Sequence, residues 1–170
     1  MTYTELTNNC KLSNALLLLI ILVASHGSLA NTAVISGRAS VIDADTLEIH
    51  GQRIRLFGID AIESRQNCTR NGKPWRCGQA AAMALDDWIG QQTVSCNVTG
   101  TDRWKRKIAR CYVHEFDMQA WLVANGWAMA FTRYSKDYVA DQERAQKAGV
   151  GIWSAEFQEP WEWRQQNNNR

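Results

Sequence analysis

The chain of 170 residues has no excess of either charge: 19 Lys and Arg stand against 17 Asp and Glu, a formal net charge of +2. Bulk charge therefore does not select a polyanionic partner, and any such argument must come from where the charges lie. No apolar run reaches the roughly 20 residues that a bilayer span requires; the unbroken stretch from Ala15 to Ala24 stops well short and ends in Ser, His and Gly. Five cysteines are present, but there is no Cys-x-x-Cys pair and no clustered histidine, which argues against a zinc site. No internal repeat is visible. The only low-complexity stretch is the polar tail 165–170, which is expected to fray.

The length and a hydrophobic content of 45% suit one sizeable core rather than two. Residues 1–30 differ from the rest: Lys11 precedes the apolar run, and Ser28-Leu29-Ala30 offers a small-x-small cleavage site. The pattern reads as a secretory signal peptide, against the alternatives of a membrane anchor or a buried helix. It implies export to the periplasm or beyond, with one domain over 31–164. Removal of Glu5 and Lys11 together leaves the charge unchanged. Cys10 would leave with the signal, and Cys68, Cys77, Cys96 and Cys111 form an even set that reads as disulfides in an oxidising compartment.

Residues from about Ala33 to Ile42 predict a first strand. Leu47 to His50 and Arg53 to Phe57 alternate around Gly51-Gln52, a turn with Gly first as a type II′ hairpin wants. That register sets Ile49 against Ile54, Leu47 against Leu56 and Arg55 against Glu48, and buries one apolar face. Gly78 to Ile89 predicts a helix stopped by Gly90. In a second hairpin, facing Cys96 with Cys111 also sets Val94 against Val113, Val98 against Ala109 and Asn97 against Arg110. Facing residues of an antiparallel pair lie within disulfide reach, so this register selects Cys96–Cys111 and leaves Cys68–Cys77 by elimination. Asp117 is a candidate N-cap for a helix through Val123, Trp127 to Phe131 a fifth strand, and Lys136 to Ala148 a last, polar helix. Five strands with two or three helices in this order predict an α+β fold around a small closed barrel.

Among the acids, Asp43, Asp45, Asp60 and Glu63 are the most informative. Asp45 and Asp60 share the parity of the buried Leu47 and Leu56, which would converge two carboxylates at one end of the barrel. Inward carboxylates ask for a cation, and oxygen donors without His or Cys favour a hard one such as Ca²⁺. The competing reading is a pair of solvated turn aspartates. Arg55 is explained equally by a cross-strand ion pair with Glu48, and alternation places it on the face opposite Asp45, so a catalytic role would need a twist or bulge at the strand end.

Three segments carry a resemblance. Val41-Ile42-Asp43-Ala44-Asp45-Thr46, Arg55-Leu56-Phe57-Gly58-Ile59-Asp60-Ala61-Ile62-Glu63 and Asp102-Arg103-Trp104-Lys105-Arg106 resemble, in order, the signature segments of the staphylococcal nuclease (thermonuclease) family. Gly126-Trp127-Ala128, Gly151-Ile152-Trp153 and Pro160-Trp161-Glu162-Trp163-Arg164 resemble later landmarks of its exported bacterial branch. The resemblance implies a five-stranded OB-fold barrel with two or three helices, and a Ca²⁺-dependent nuclease acting on DNA or RNA and leaving 3′-phosphate ends. It implies that Asp45, Asp60 and the main-chain carbonyl of Ala61 ligate Ca²⁺, with Asp43 helping through water. Glu63 would be the general base, while Arg55 and Arg106 brace the phosphorane with two-point contacts. Arg103 and Trp104, and by a similar part Tyr134, would hold a substrate phosphate and its nucleotide. The bland reading of Arg103, Lys105, Arg106 and Lys107 is a solvated basic turn, and that of Trp127, Trp153, Trp161 and Trp163 is packing. A monomer is expected, with no stable membrane association once the signal is removed.

The match departs at Ala44 and Lys105, where the family usually has Gly, and at Ile62, where it usually has Pro. A positive φ at Ala44 would strain the metal loop by about 1 kcal/mol, and loss of Pro before Glu63 would loosen that loop. The rival class is a non-catalytic OB-fold module binding nucleic acid or acidic polysaccharide, since some members of the family are assigned to exopolysaccharide (succinoglycan) biosynthesis.

Overall fold

The computed structural model describes residues 33–167. The expected signal segment, 1–30, lies outside the described residues. In chain order the strands are β1 (Val34–Gly37), β2 (Ser40–Asp43), β3 (Thr46–Ile49), β4 (Gln52–Leu56), β5 (Ile59–Ala61), β6 (Cys68–Arg70), β7 (Lys73–Trp75), β8 (Val94–Thr101), β9 (Lys107–Val113), β10 (Phe116–Asp117) and β11 (Ala128–Ala130). The helices are α1 (Cys77–Ile89), α2 (Met118–Ala124), α3 (Val139–Ala148) and α4 (Pro160–Asn167), with a 3-10 turn at Gly151–Ser154.

The segment expected to be one strand is bent at Arg38-Ala39, and each half joins a different edge of the main sheet. The order β1-β8-β9-β4-β3-β2 places the two halves at opposite ends, so the sheet curls until its edges are linked by a single chain segment. Counting that bent segment once gives five barrel strands. β4 and β9 pair in parallel and the other neighbours in the sheet are antiparallel, a mixed topology of the OB-fold type.

The first hairpin turns one residue earlier than its glycine suggests. His50 (φ 51°) and Gly51 (φ 74°) both take positive φ, the requirement of a type I′ turn, and histidine is among the few side chains that tolerate this conformation. The register becomes Thr46↔Arg55, Leu47↔Ile54, Glu48↔Arg53 and Ile49↔Gln52, which corrects the expected pairing. Because each partner shifts by two, the faces do not change, and Leu47, Ile49, Ile54 and Leu56 share the buried side. The second hairpin has the expected register at all four named pairs, and Cys96 is bonded to Cys111 and Cys68 to Cys77.

α1 ends at Gly90 as its sequence indicates, and the Asp117 carboxylate caps α2 by accepting the Ala120 N–H at 2.9 Å. Ala81, Leu85 and Ile89 of α1 and Met118, Leu122 and Val123 of α2 join the barrel interior in one core. Ile62, Cys68, Cys77, Met129 and Ile152 form a second cluster beneath the loop that follows β5. The α+β class stands, with four helices among the described residues rather than two or three. The additional one, α4, takes up residues 165–167 of the expected tail, and Trp161 on it is exposed rather than packed in a core.

Candidate active site

Asp45 lies in the two-residue turn between β2 and β3, not within a strand, so the alternation that separated it from Arg55 does not apply. A register shift between Val41 and Asp43 tightens this end of the sheet, and Ala44, Asp45, Thr46 and Leu47 are all buried in succession. The Asp45 carboxylate, 2% exposed, accepts the Ala61 N–H at 2.8 Å on one oxygen and the Thr46 hydroxyl at 3.1 Å on the other. Asp43 accepts the Ser64 N–H at 3.1 Å, which ties this turn to the loop carrying Glu63. Asp60, 1% exposed, sits in β5, held by pairing with β11.

Arg55 does not face Glu48, which instead meets Arg53 at 3.9 Å. Opposite Thr46 at the strand end, its guanidinium pairs with Asp45 and donates to Asp60 at 2.6 Å. A second guanidinium reaches the same acids from α4: Arg164 donates to Glu63 at 2.7 Å and to the two oxygens of Asp60 at 3.1 and 2.8 Å. Burial pushes the Asp45 carboxyl above its ordinary range, with Asp60 and Asp43 adding to the push against Arg55. Burial likewise raises Glu63, although the hydrogen bond from Arg164 opposes it. Burial alone would favour loss of the Arg164 charge, but hydrogen bonds to Asp60 and Glu63 outweigh it and hold the guanidinium protonated.

The opposite wall is the tip of the β8–β9 hairpin. Asp102 organises it, accepting the N–H groups of Trp104 and Arg106 at 2.9 Å each and Nε of Arg106 at 2.7 Å. Burial works against the Asp102 charge, and the hydrogen bonds from Arg106 overcome it, so its carboxyl titrates below the usual range. Only Nε of Arg106 is engaged by a side-chain acceptor among the described residues, which leaves its terminal nitrogens for a ligand. Trp104 is 62% exposed, with Arg103 over its ring at 4.0 Å and Arg106 at 5.2 Å. Tyr134, 65% exposed, meets Phe131 edge-on at 5.0 Å.

These groups enclose a cleft of about 570 Å³, lined by Asp43, Asp45, Arg55, Glu63, Trp104, Arg106 and Tyr134, with Phe57, Phe131 and Arg164. Asp60 and Ala61 lie behind that wall, and Arg103 is outside it, stacked on Trp104. Reasoning from sequence missed Arg164. Its signal was Pro160, suited to the first turn of a helix, with Arg164 four residues on.

Ala44 does not take a positive φ, which corrects the expected strain there; Lys105 does, at 66°. Ile62 is fully buried in the second core cluster, so packing fixes the residue before Glu63 where a proline ring would otherwise do so. The loop is pinned from below as well: Gln66 N–H donates to the Glu63 carbonyl at 2.8 Å, and Gly78 N–H to Gln66 O at 3.3 Å. The donors are oxygens of Asp, Glu and main chain, chemistry that fits a hard cation such as Ca²⁺. Among the described residues no three His, Cys, Asp or Glu converge as a metal-holding group, and the oxygens of Asp60 are engaged by Arg55 and Arg164.

The OB-fold barrel thus gathers buried carboxylates, guanidiniums and exposed aromatics around one cleft. The family description "Staphylococcal nuclease homologue" matches residues 53–155, and the chain belongs to that family. It is 36% identical over 139 residues to the "Succinoglycan biosynthesis protein ExoI" of Rhizobium meliloti, covering 79% of this chain and 72% of that protein. It is 30% identical over 163 residues to an "Uncharacterized endonuclease" of Haemophilus influenzae, covering 91% of this chain and 85% of that one. The "Probable staphylococcal-like nuclease CAN2" of rice is 30% identical over 120 residues, 69% of this chain but 30% of that protein.

Proposed function

We propose that the chain is an exported Ca²⁺-dependent nuclease that hydrolyses phosphodiester bonds of DNA or RNA, leaving 3′-phosphate ends. The observation that carries this reading is the meeting in one cleft of Glu63, whose proton affinity is raised, with the carboxylates Asp43 and Asp45 and the guanidinium of Arg106, the buried Asp60 lying just behind the wall. A carboxylate with raised proton affinity is a better base toward water near neutral pH than an ordinary surface glutamate. Arg106 would take the phosphate oxygens on its unengaged terminal nitrogens, in the planar two-point contact that phosphate suits. Arg55, anchored between Asp45 and Asp60, would brace the same group from the barrel side. The exposed Tyr134 ring would offer a face on which a base stacks, Trp104 would hold a nucleotide beside the Arg103 guanidinium that lies over its ring at 4.0 Å, and Arg103 would carry a flanking phosphate.

Asp45, Asp60 and the Ala61 carbonyl would hold Ca²⁺, with Asp43 assisting through water. Bound there, the ion supplies a Lewis acid and a template for the phosphate. Two disulfides suit an exported protein, and no helix among the described residues is long and apolar enough to cross a membrane. We read the enzyme as a monomer acting in the periplasm or medium.

The name of the Rhizobium meliloti relative favours a second reading, a weakly catalytic or non-catalytic module that binds nucleic acid or acidic polysaccharide in exopolysaccharide biosynthesis. One experiment separates the two: cleavage of single-stranded DNA by the purified protein with Ca²⁺ and with chelator, alongside binding to DNA and to succinoglycan. Ca²⁺-dependent cleavage supports the nuclease. Tight polyanion binding without cleavage supports the module.

A further inference from the structure

We propose that Arg164 is the resident counter-ion of the carboxylate cluster, competing directly with a divalent cation for Asp60 while it also engages Glu63. The proposal rests on the metal-dependent reading above. Both oxygens of Asp60 are occupied: one accepts from Arg164 at 2.8 Å, the other from Arg164 at 3.1 Å and Arg55 at 2.6 Å. A Ca²⁺ ligated by Asp60 would sit roughly 2.3–2.6 Å from one of those oxygens. At that range the ion and two guanidiniums cannot share one carboxylate without strong like-charge repulsion. One guanidinium has to leave.

Arg55 is the fixed one. It projects from β4, which is paired on both sides by β3 and β9, and its side chain is 18% exposed. Arg164 is 30% exposed on an eight-residue helix whose only buried residue is Pro160, so little packing opposes its movement. α4 lies beyond the 53–155 segment that the family match covers. The charges agree: Asp43, Asp45, Asp60 and Glu63 face two guanidiniums, and replacing Arg164 by a divalent ion improves the balance by one charge.

The test is calorimetric titration of Ca²⁺ into the chelator-treated full chain, without substrate, for the wild type, Arg164→Gln and Arg164→Lys. Loss of the competing charge-assisted hydrogen bonds should tighten Ca²⁺ binding about tenfold or more in Arg164→Gln. Arg164→Lys keeps a charge without the fork and should fall between. In the wild type, Ca²⁺ should also accelerate hydrogen exchange of the amides at 161–167, a readout that needs no variant and decides the matter if Arg164→Gln does not fold. If the wild type binds Ca²⁺ and Arg164→Gln binds it equally or more weakly, the competition is refuted while the metal-dependent reading survives. If neither binds Ca²⁺, both fall.

Discussion

Gly78, the second residue of α1, is where helix preference and close packing give opposite predictions for one methyl group. On helix propensity alone, Gly78→Ala should stabilise by about 1 kcal/mol. A Cβ at this position, however, would fall inside the Glu63 carbonyl and against Ser64 Cα. Those neighbours are backbone, not the yielding end of a flexible side chain. The Cys68–Cys77 bridge beside Gly78, and the hydrogen bonds linking Gln66 to Glu63 and Gly78, keep helix and loop together. Overpacking typically costs about 1–3 kcal/mol, and backbone contacts this close put the cost at the upper end, so the overlap should outweigh the helix gain and leave a net loss of about 2 kcal/mol. The strain falls on the backbone of the proposed base, and a displacement near 1 Å at a reacting group can cost on the order of a hundredfold in rate. Urea denaturation and single-stranded DNA cleavage of the Ala variant, with Ca²⁺ saturating, measure the two effects. An Ala variant as stable as the wild type and fully active would refute the claim that this contact fixes Glu63.

Other expectations follow from the hairpin tip. Lys105→Gly should stabilise by up to about 1 kcal/mol, because Gly takes φ near 66° without a Cβ penalty; a melting temperature below that of the wild type would count against it. Arg106→Lys should lower turnover tenfold or more despite the retained charge, since an ammonium cannot bond Asp102 through Nε while offering a planar fork to phosphate; unchanged kcat would show that only charge matters there. Asp102 has a depressed carboxyl pKa in the fold, so its stabilising contribution is present above the unfolded value of about 3.9 and is lost only as pH falls through the lower folded value. A side-chain NMR titration with a midpoint at or above 3.9 would contradict the cap described for this turn.

The second hairpin was legible because four independent pairs agree on one register, and a disulfide fixes it. In the first hairpin the glycine marked the turn but not its phase: His50 takes the left-handed position that the sequence rule reserves for Gly or Asn. Faces survived that error because the side-chain period is two, and with them the buried Leu47, Ile49, Ile54 and Leu56. The candidate site was legible as residue types in three short segments, yet the position of Arg55 was not. Alternation assigns a face only within a strand, and Asp45 stands in a turn next to a bulge. Arg164 could not be placed at all, since its contacts to Asp60 and Glu63 span about a hundred residues and depend on how a short polar helix folds back.

The central claim is that Glu63 removes a proton while other residues hold the metal and the phosphate. Its most direct test is Glu63→Gln assayed for single-stranded DNA cleavage and, separately, for Ca²⁺-dependent nucleotide binding. Turnover should fall on the order of a hundredfold or more while nucleotide binding stays within a few-fold of the wild type. A variant that cleaves at the wild-type rate, or one that loses nucleotide binding in step with cleavage, would contradict the assignment.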